Sequence, residues 1–340
     1  MTKEKKVVFT YSLGHFMVDF ACAFLIFRMV YGTEDWHLSL LLYNFCAFAL
    51  QMPFGLLADR LNRNAICAGI GCGLVALAYG SFGIPIGAAM IAGVGNGLFH
   101  IGGGIDVLHI SNRSPKYLGV FVSPGAIGIY LGTMFGKQGS FPEIVMILGL
   151  LLSITLILTV CHTRAFLSEN MPVSFDCISS SKVFIAVICL FLVVCMRSYI
   201  GMILSFPWKT QGYLSTILVI AVAVGKLTGG FLAQRLGVKR AAILSLGLST
   251  VFFMFSDIPV LGVLAMLTFN MTMPITLWAV AKLIPGAKGF SFGLLTFGLF
   301  LGFLPSYLEC GRMITTFVGF AFASFLSLIL LLLGLRRVVD

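Results

Sequence analysis

An all-α integral membrane protein of about twelve transmembrane helices, built as two related halves of six, is the fold class this sequence predicts. Three observations carry the prediction. Hydrophobic residues make up 59% of the 340 and charged residues 10%, where an ordinary soluble domain carries about 25% charged residues; the mean hydropathy is +1.05. Apolar runs long enough to cross a bilayer recur along the whole chain. A short charged motif occurs twice, half a chain apart.

A helix needs about 20 apolar residues to cross a hydrocarbon layer of roughly 30 Å. Marking each such run, with its polar or Gly/Pro interruption, predicts spans at 7–30, 38–58, 65–80, 84–108, 117–137, 142–161, 182–204, 212–233, 240–256, 259–283, 290–308 and 312–335. The first follows a basic start, Met1 to Lys6. It is too long for a signal peptide and lacks a small-residue cleavage site, so it is expected to remain as a spanning helix. The third and ninth are short. Alternating strands of the barrel type do not occur. The expected organisation is a six-helix bundle over 1–163, a polar cytoplasmic linker over 164–181 and a second bundle over 182–340.

Placing the N-terminus in the cytoplasm puts most of the 22 basic residues on one side, among them Lys3, Arg60, Arg63, Arg113, Arg164, Lys182, Arg235, Lys239, Arg240 and Arg336. The opposite loops hold Glu34, Asp35, Glu143, Asp257 and Glu309, with Lys137, Lys209 and Arg312 as the basic exceptions. That bias sets orientation. Both termini are therefore expected to face the cytoplasm, in the cell membrane. The net charge of +10 is scattered between apolar runs rather than gathered on a patch, which argues against nucleic acid as a partner. The nine cysteines, including Cys310, lack CxxC spacing and are expected to be packing residues rather than disulfides or a zinc site.

Between the second and third spans the chain reads Gly55, Leu56, Leu57, Ala58, Asp59, Arg60, Leu61, Asn62, Arg63. Between the eighth and ninth it reads Gly230, Phe231, Leu232, Ala233, Gln234, Arg235, Leu236, Gly237, then Lys239 and Arg240, an offset of 175. A repeat of six-helix size is the mark of a transporter made from two bundles. These residues resemble the G-x-L-A-D-R-x-G-R-K loop of the major facilitator superfamily, with Asn62 for Gly, Asn64 for a basic residue and Gln234 for the acid. The resemblance implies the major facilitator fold and a cytoplasmic gate of Asp59, Arg60, Arg63, Arg235 and Lys239. It also implies that the Asp59 carboxylate meets the start of the eleventh helix near Gly289 to Phe292, where unpaired backbone N–H groups favour an anion. Enforcement of topology is the plainer role for Arg60 and Arg63.

Within the superfamily, Gly14 to Asp19, Gly95 to His100 and Val122 to Gly128 look like the first, fourth and fifth helices of the fosmidomycin-resistance type of exporter, and Met196 to Tyr199 is similar to its seventh. Ile101 stands where that pattern has proline. Drug or antibiotic export is implied by this resemblance alone.

Asp19 lies 12 residues after Val7, about 18 Å in at 1.5 Å per residue, and Arg197 reaches a similar depth in the seventh span. A charge there costs about 2.5 to 3.5 kcal/mol on insertion scales and normally faces a partner or a wet cavity. Asp19 and Arg197 are expected to face each other across a central cavity, either as a coupling or substrate-binding pair or as an ion pair that joins the halves. His15, one turn before Asp19, is placed to share a proton with it. Asn96 and His100 share a face of the fourth helix. The glycines beside them (Gly93, Gly95, Gly97, Gly102 to Gly104) are expected to serve helix packing, because a nucleotide loop would need a preceding strand. Gly128, Gly132 and Gly136 suggest the same.

His15, Asp19 and His100 are metal-ligand types, but two lie on one helix and no spacing supports the third, so no metal site and no cofactor are expected. Lys226 is either a cavity cation or reaches toward the cytoplasmic interface. Asp106, near a helix end, is read as structural. Asn270, Pro274 and Trp278 fall on one stripe of the tenth helix, with a bend expected at the proline. Asp19, Arg197 and Lys226 sum to a charge of plus one, which favours an anionic or zwitterionic small-molecule substrate.

The expected function is a monomeric secondary transporter working by alternating access, with protons as the drive and the lipid bilayer as its solvent. Facilitative uniport, metal-ion carriage and a non-transporting membrane sensor are the alternatives. An enzyme is not expected, because no nucleophile with a base and no metal cluster near the membrane surface is evident.

Overall fold

The computed structural model describes residues 2–81, 83–139, 141–161, 173–210, 212–308, 314 and 316–339, except the side chains of Arg113, Ser179, Thr210 and Val339. Arg164, Glu309, Cys310, Arg312 and residues 164–172 of the expected linker therefore lie outside the described residues, as does the Arg113 side chain. Among the described residues the chain forms twelve helical spans and no strand. They are α1 Lys3–Val30, α2 Trp36–Leu61, α3 Asn64–Ala78, α4 Pro85–Ile110, α5 Lys116–Gln138, α6 Glu143–Cys161, α7 Ser181–Ile203, α8 Tyr213–Leu236, α9 Val238–Met254, α10 Pro259–Leu283, α11 Lys288–Tyr307 and α12 Phe317–Val338.

Ten of these are long and apolar enough to cross a membrane, and α3 and α9 are the shorter pair anticipated above. Apolar side chains such as Phe9, Leu77, Leu148, Val318 and Phe322 stand exposed on the helices, the arrangement of an integral membrane protein whose outer surface is solvated by lipid. The eight described cysteines are all unpaired.

The chain forms two compact units. The first comprises Met1–Ile110, Pro124–Val173 and Ala287–Phe297; the second comprises Ser111–Ser123, Ser174–Gly286 and Gly298–Asp340.

In the first unit, glycines set the helix separations. A Cβ at Gly128, Gly132 or Gly136 of α5 would strike the backbone of α1 at Phe16, Phe20 and Phe24 respectively, so these helices approach more closely than side chains permit. Gly71 of α3 and Gly95 of α4 meet in the same way, and Gly55 and Gln51 of α2 lie against Gly289 and Gly293 at the start of α11. The glycines of α4 thus serve packing.

In the second unit, Gly225 and Gly229 of α8 lie against the backbone of α10 at Leu267 and Met271. The Ser198 hydroxyl on α7 donates to the Leu299 carbonyl of α11 at 2.6 Å. The Ser324 hydroxyl of α12 donates to the Leu246 carbonyl of α9 at 3.2 Å. The tenth span is interrupted at Met271 between the helices Pro259–Asn270 and Thr272–Leu283. The interruption lies three residues before Pro274, whose ring clashes with the carbonyl four residues back and removes one helical N–H.

The internal repeat is visible in the backbone. Asn62 ends α2 at φ 51° and Gly237 ends α8 at φ 84°, at the same place in the two copies of the charged motif. Asn tolerates the left-handed region because its short side chain hydrogen-bonds locally, so the first copy keeps a positive φ at this point without glycine.

Candidate functional site

α1 carries Tyr11, His15 and Asp19 at intervals of four, one above the other on a single face. All three are buried. The antiparallel face of α4 presents Asn96, His100 and Asp106, also buried. The two faces form two polar clusters in the first unit.

The deeper cluster centres on Asp19. Its Oδ2 lies 3.2 Å from His15 Nε2 and its Oδ1 lies 3.9 Å from His100 Nε2. The Asn96 amide Nδ2 donates to Oδ1 at 3.0 Å and lies 3.5 Å from the Tyr43 hydroxyl. The two imidazole rings meet edge to face, with centroids 4.4 Å apart. His100 Nδ1 lies 2.9 Å from the backbone carbonyl of Asn96. A carbonyl only accepts, so Nδ1 carries the hydrogen and the neutral ring keeps its lone pair on Nε2, toward Asp19. On α5, a Cβ on Gly125 would run into His15 Nε2 and Asp19 Oδ2. Only glycine lets that helix close the site without displacing the two side chains. The arrangement can hold a proton or another small cation between a carboxylate and two imidazoles in a place where an unpaired charge is costly.

The second cluster was only partly legible in the sequence. Asp106 Oδ2 accepts the Tyr11 hydroxyl at 2.6 Å and Oδ1 accepts the Asn64 amide at 2.7 Å. Tyr11 and Asn64 carried no sequence signal of their own: tyrosines in apolar helices are common, and Asn64 reads as part of the charged loop.

On the motif side, the Asp59 carboxylate accepts the backbone N–H of Gly289 at 2.8 Å and of Phe290 at 2.9 Å, the contact anticipated from the helix N-terminus. Arg60, Arg63 and Arg235 are exposed and Lys239 is half-buried.

In the second unit, Arg197 is buried on α7, and its Nη1 has no hydrogen-bond partner among the described residues. Lys226 is half-buried on α8. Asn270 donates its amide to the Met266 carbonyl one turn back at 2.8 Å. The Trp278 indole N–H donates to the Ser111 carbonyl at 3.1 Å, and Lys282 Nζ lies 5.7 Å from its ring centroid. The side-chain N–H groups of both Asn270 and Trp278 therefore donate to backbone carbonyls. Asp19 and Arg197 belong to different units, and Asn96 and His100 are the sequence-predicted residues that the fold brings to Asp19.

No protein-family model matches the chain, and no curated protein matches it in sequence. Solved structures do match in shape. The E. coli fucose:proton symporter FucP superposes with a TM-score of 0.67 at 13% identity, over 99% of this chain and 98% of that one; FucP is described as a major facilitator superfamily transporter. The human organic anion transporter MFSD10 superposes at 0.69 and 16% identity, over 98% and 100%. A bacterial homologue of the iron transporter ferroportin, outward-facing, superposes at 0.64 and 14% identity, over 100% and 99%. The chain has the twelve-helix major facilitator fold.

Proposed function

We propose that this protein is a secondary transporter that moves a small solute across the cell membrane by alternating access, with proton coupling centred on Asp19. The observation that carries the reading is a carboxylate buried against His15, His100 and Asn96 inside spans apolar enough to cross a bilayer. A membrane fold tolerates such a group where it serves an ion or substrate pathway. The full-length likeness in shape to transporters of sugar, organic anion and iron supports carriage as the activity without choosing among cargoes.

Arg197 supplies the second half of the reading. A buried guanidinium with an unmatched Nη1 suits the acidic group of an anionic or zwitterionic solute. Export as the direction, both termini in the cytoplasm and a gating role for Asp59, Arg60, Arg63, Arg235 and Lys239 rest on the motif resemblance and on the distribution of basic loops.

The test is a ligand-stabilisation screen on purified protein at two pH values, followed by counterflow in proteoliposomes with each stabilising compound. A compound that both raises the unfolding temperature and exchanges across the bilayer establishes the transporter. If stabilising ligands are found and none of them exchanges, the chain is a binding or sensing protein and the proposal fails.

A further inference from the structure

We propose that His15, Asp19 and His100 form a three-ligand binding site for a divalent first-row transition-metal ion, with Asn96 as a fourth contact. The ligand types were legible in the sequence, but the third ligand was not placed; folding α4 against α1 supplies it. Two imidazole nitrogens and one carboxylate suit borderline ions such as Zn²⁺, Fe²⁺ or Co²⁺, whereas Mg²⁺ and Ca²⁺ prefer oxygen throughout.

The geometry fits before any ion enters. One ligand atom from each of the three residues can be chosen so that all lie within 4.8 Å of one another. The His15 to Asp19 separation is 3.2 Å and the His100 to Asp19 separation is 3.9 Å. Donors bound to a single tetrahedral ion at about 2.0–2.2 Å stand roughly 3.3–3.5 Å apart, so closing the widest separation, within 4.8 Å, by about 1 Å through side-chain adjustment completes the shell.

Three further features point to a ligand. His100 is already oriented as metal-binding histidines are: Nδ1 donates to the Asn96 carbonyl at 2.9 Å, which turns the Nε2 lone pair toward the carboxylate. Two electron-rich atoms then face each other, an arrangement that a cation between them stabilises. Asn96 is 2% exposed, and its Oδ1 has no hydrogen-bond partner among the described residues; rotation of the amide presents that oxygen to the ion. Finally, Gly125 keeps the space beside His15 Nε2 and Asp19 Oδ2 clear of any side chain. The site stands on this geometry; carriage of the bound ion across the membrane rests on the transporter reading above.

The probe is Zn²⁺ alone, added to the full chain in lipid nanodiscs after chelator treatment and quantified by equilibrium dialysis with elemental analysis. The expected result is about one Zn²⁺ per chain, weakened by more than about tenfold in His15→Gln and in His100→Gln and unchanged in a His37→Gln, His109→Gln double variant. Asn96→Asp adds an anionic oxygen beside the ligands and is expected to tighten binding, a gain that a damaged fold does not mimic. No retained Zn²⁺, or equal retention after both His15 and His100 are replaced, overturns the site; if those variants do not fold, unchanged affinity in Asn96→Asp overturns it. Zinc flux in proteoliposomes separates the two readings. A chain that binds Zn²⁺ but moves neither it nor any other solute refutes carriage and leaves the site standing, and a chain that moves solutes without binding Zn²⁺ does the reverse.

Discussion

Asn62 and Gly237 stand at equivalent points of the repeat and both close a helix with positive φ, 51° and 84°. One of the two is a residue with a Cβ in a region that glycine occupies more easily. Replacing Asn62 with Gly is expected to leave stability unchanged or raise it by up to about 1 kcal/mol, and Asn62→Val is expected to lower it by about 1–2 kcal/mol. Thermal unfolding in detergent measures both. Equal melting of the valine variant and the parent would remove the conformational argument.

The Asp59 carboxylate holds the backbone amides of Gly289 and Phe290, the second and third residues of α11. Asp59→Asn keeps one acceptor and loses the charge that complements the helix terminus. Amide exchange at Gly289 and Phe290 should quicken by about tenfold, which corresponds to about 1.4 kcal/mol. Unchanged exchange would mean that the carboxylate is a bystander to the order of α11.

Asp19→Asn removes the anion between His15 and His100 while keeping shape and a hydrogen-bond acceptor for Asn96. Counterflow, which needs no gradient, is expected to continue, and uptake or efflux driven by a proton gradient is expected to stop. Normal gradient-driven transport by this variant assigns coupling elsewhere.

Tyr11→Phe removes the 2.6 Å hydrogen bond to Asp106 and leaves that buried carboxylate with Asn64 as its side-chain donor among the described residues. The expected loss is about 1–3 kcal/mol of stability, seen as a lower unfolding temperature. If the variant melts like the parent, another donor must reach Asp106.

Two glycines of one helix separate function from packing. A methyl group at Gly125 meets the side chains of His15 and Asp19, whereas one at Gly128 meets the backbone of α1 at Phe16. Gly125→Ala should impair transport and the proposed metal binding with a modest change in melting; Gly128→Ala should lower stability by about 1–3 kcal/mol. Transport assays and thermal unfolding on both variants decide, and identical profiles would contradict the distinction.

The helix count, the short third and ninth spans and the repeat were legible because hydropathy and charge act locally, residue by residue. The contact of Asp59 with α11 was legible through its motif. His15 and Asp19 were paired from their spacing on one helix. His100, by contrast, joins them only once α4 packs on α1, and that seam is set by glycines whose spacing shows that helices touch without showing which ones. The Tyr11, Asn64 and Asp106 cluster was obscured for the same reason. The stripe of Asn270 and Trp278 was legible as one face of a helix, but the acceptors of its N–H groups, the Met266 and Ser111 carbonyls, were not.

The row of bare positions on α5 against Phe16, Phe20 and Phe24 has a consequence for anyone redesigning this chain. Glycine is the smallest residue, so every substitution along that row can only add bulk, and none can relieve it. Improvements by trial will therefore collect on the lipid-facing sides of α1 and α5, and the join between them will behave as a fixed part around which the rest is altered.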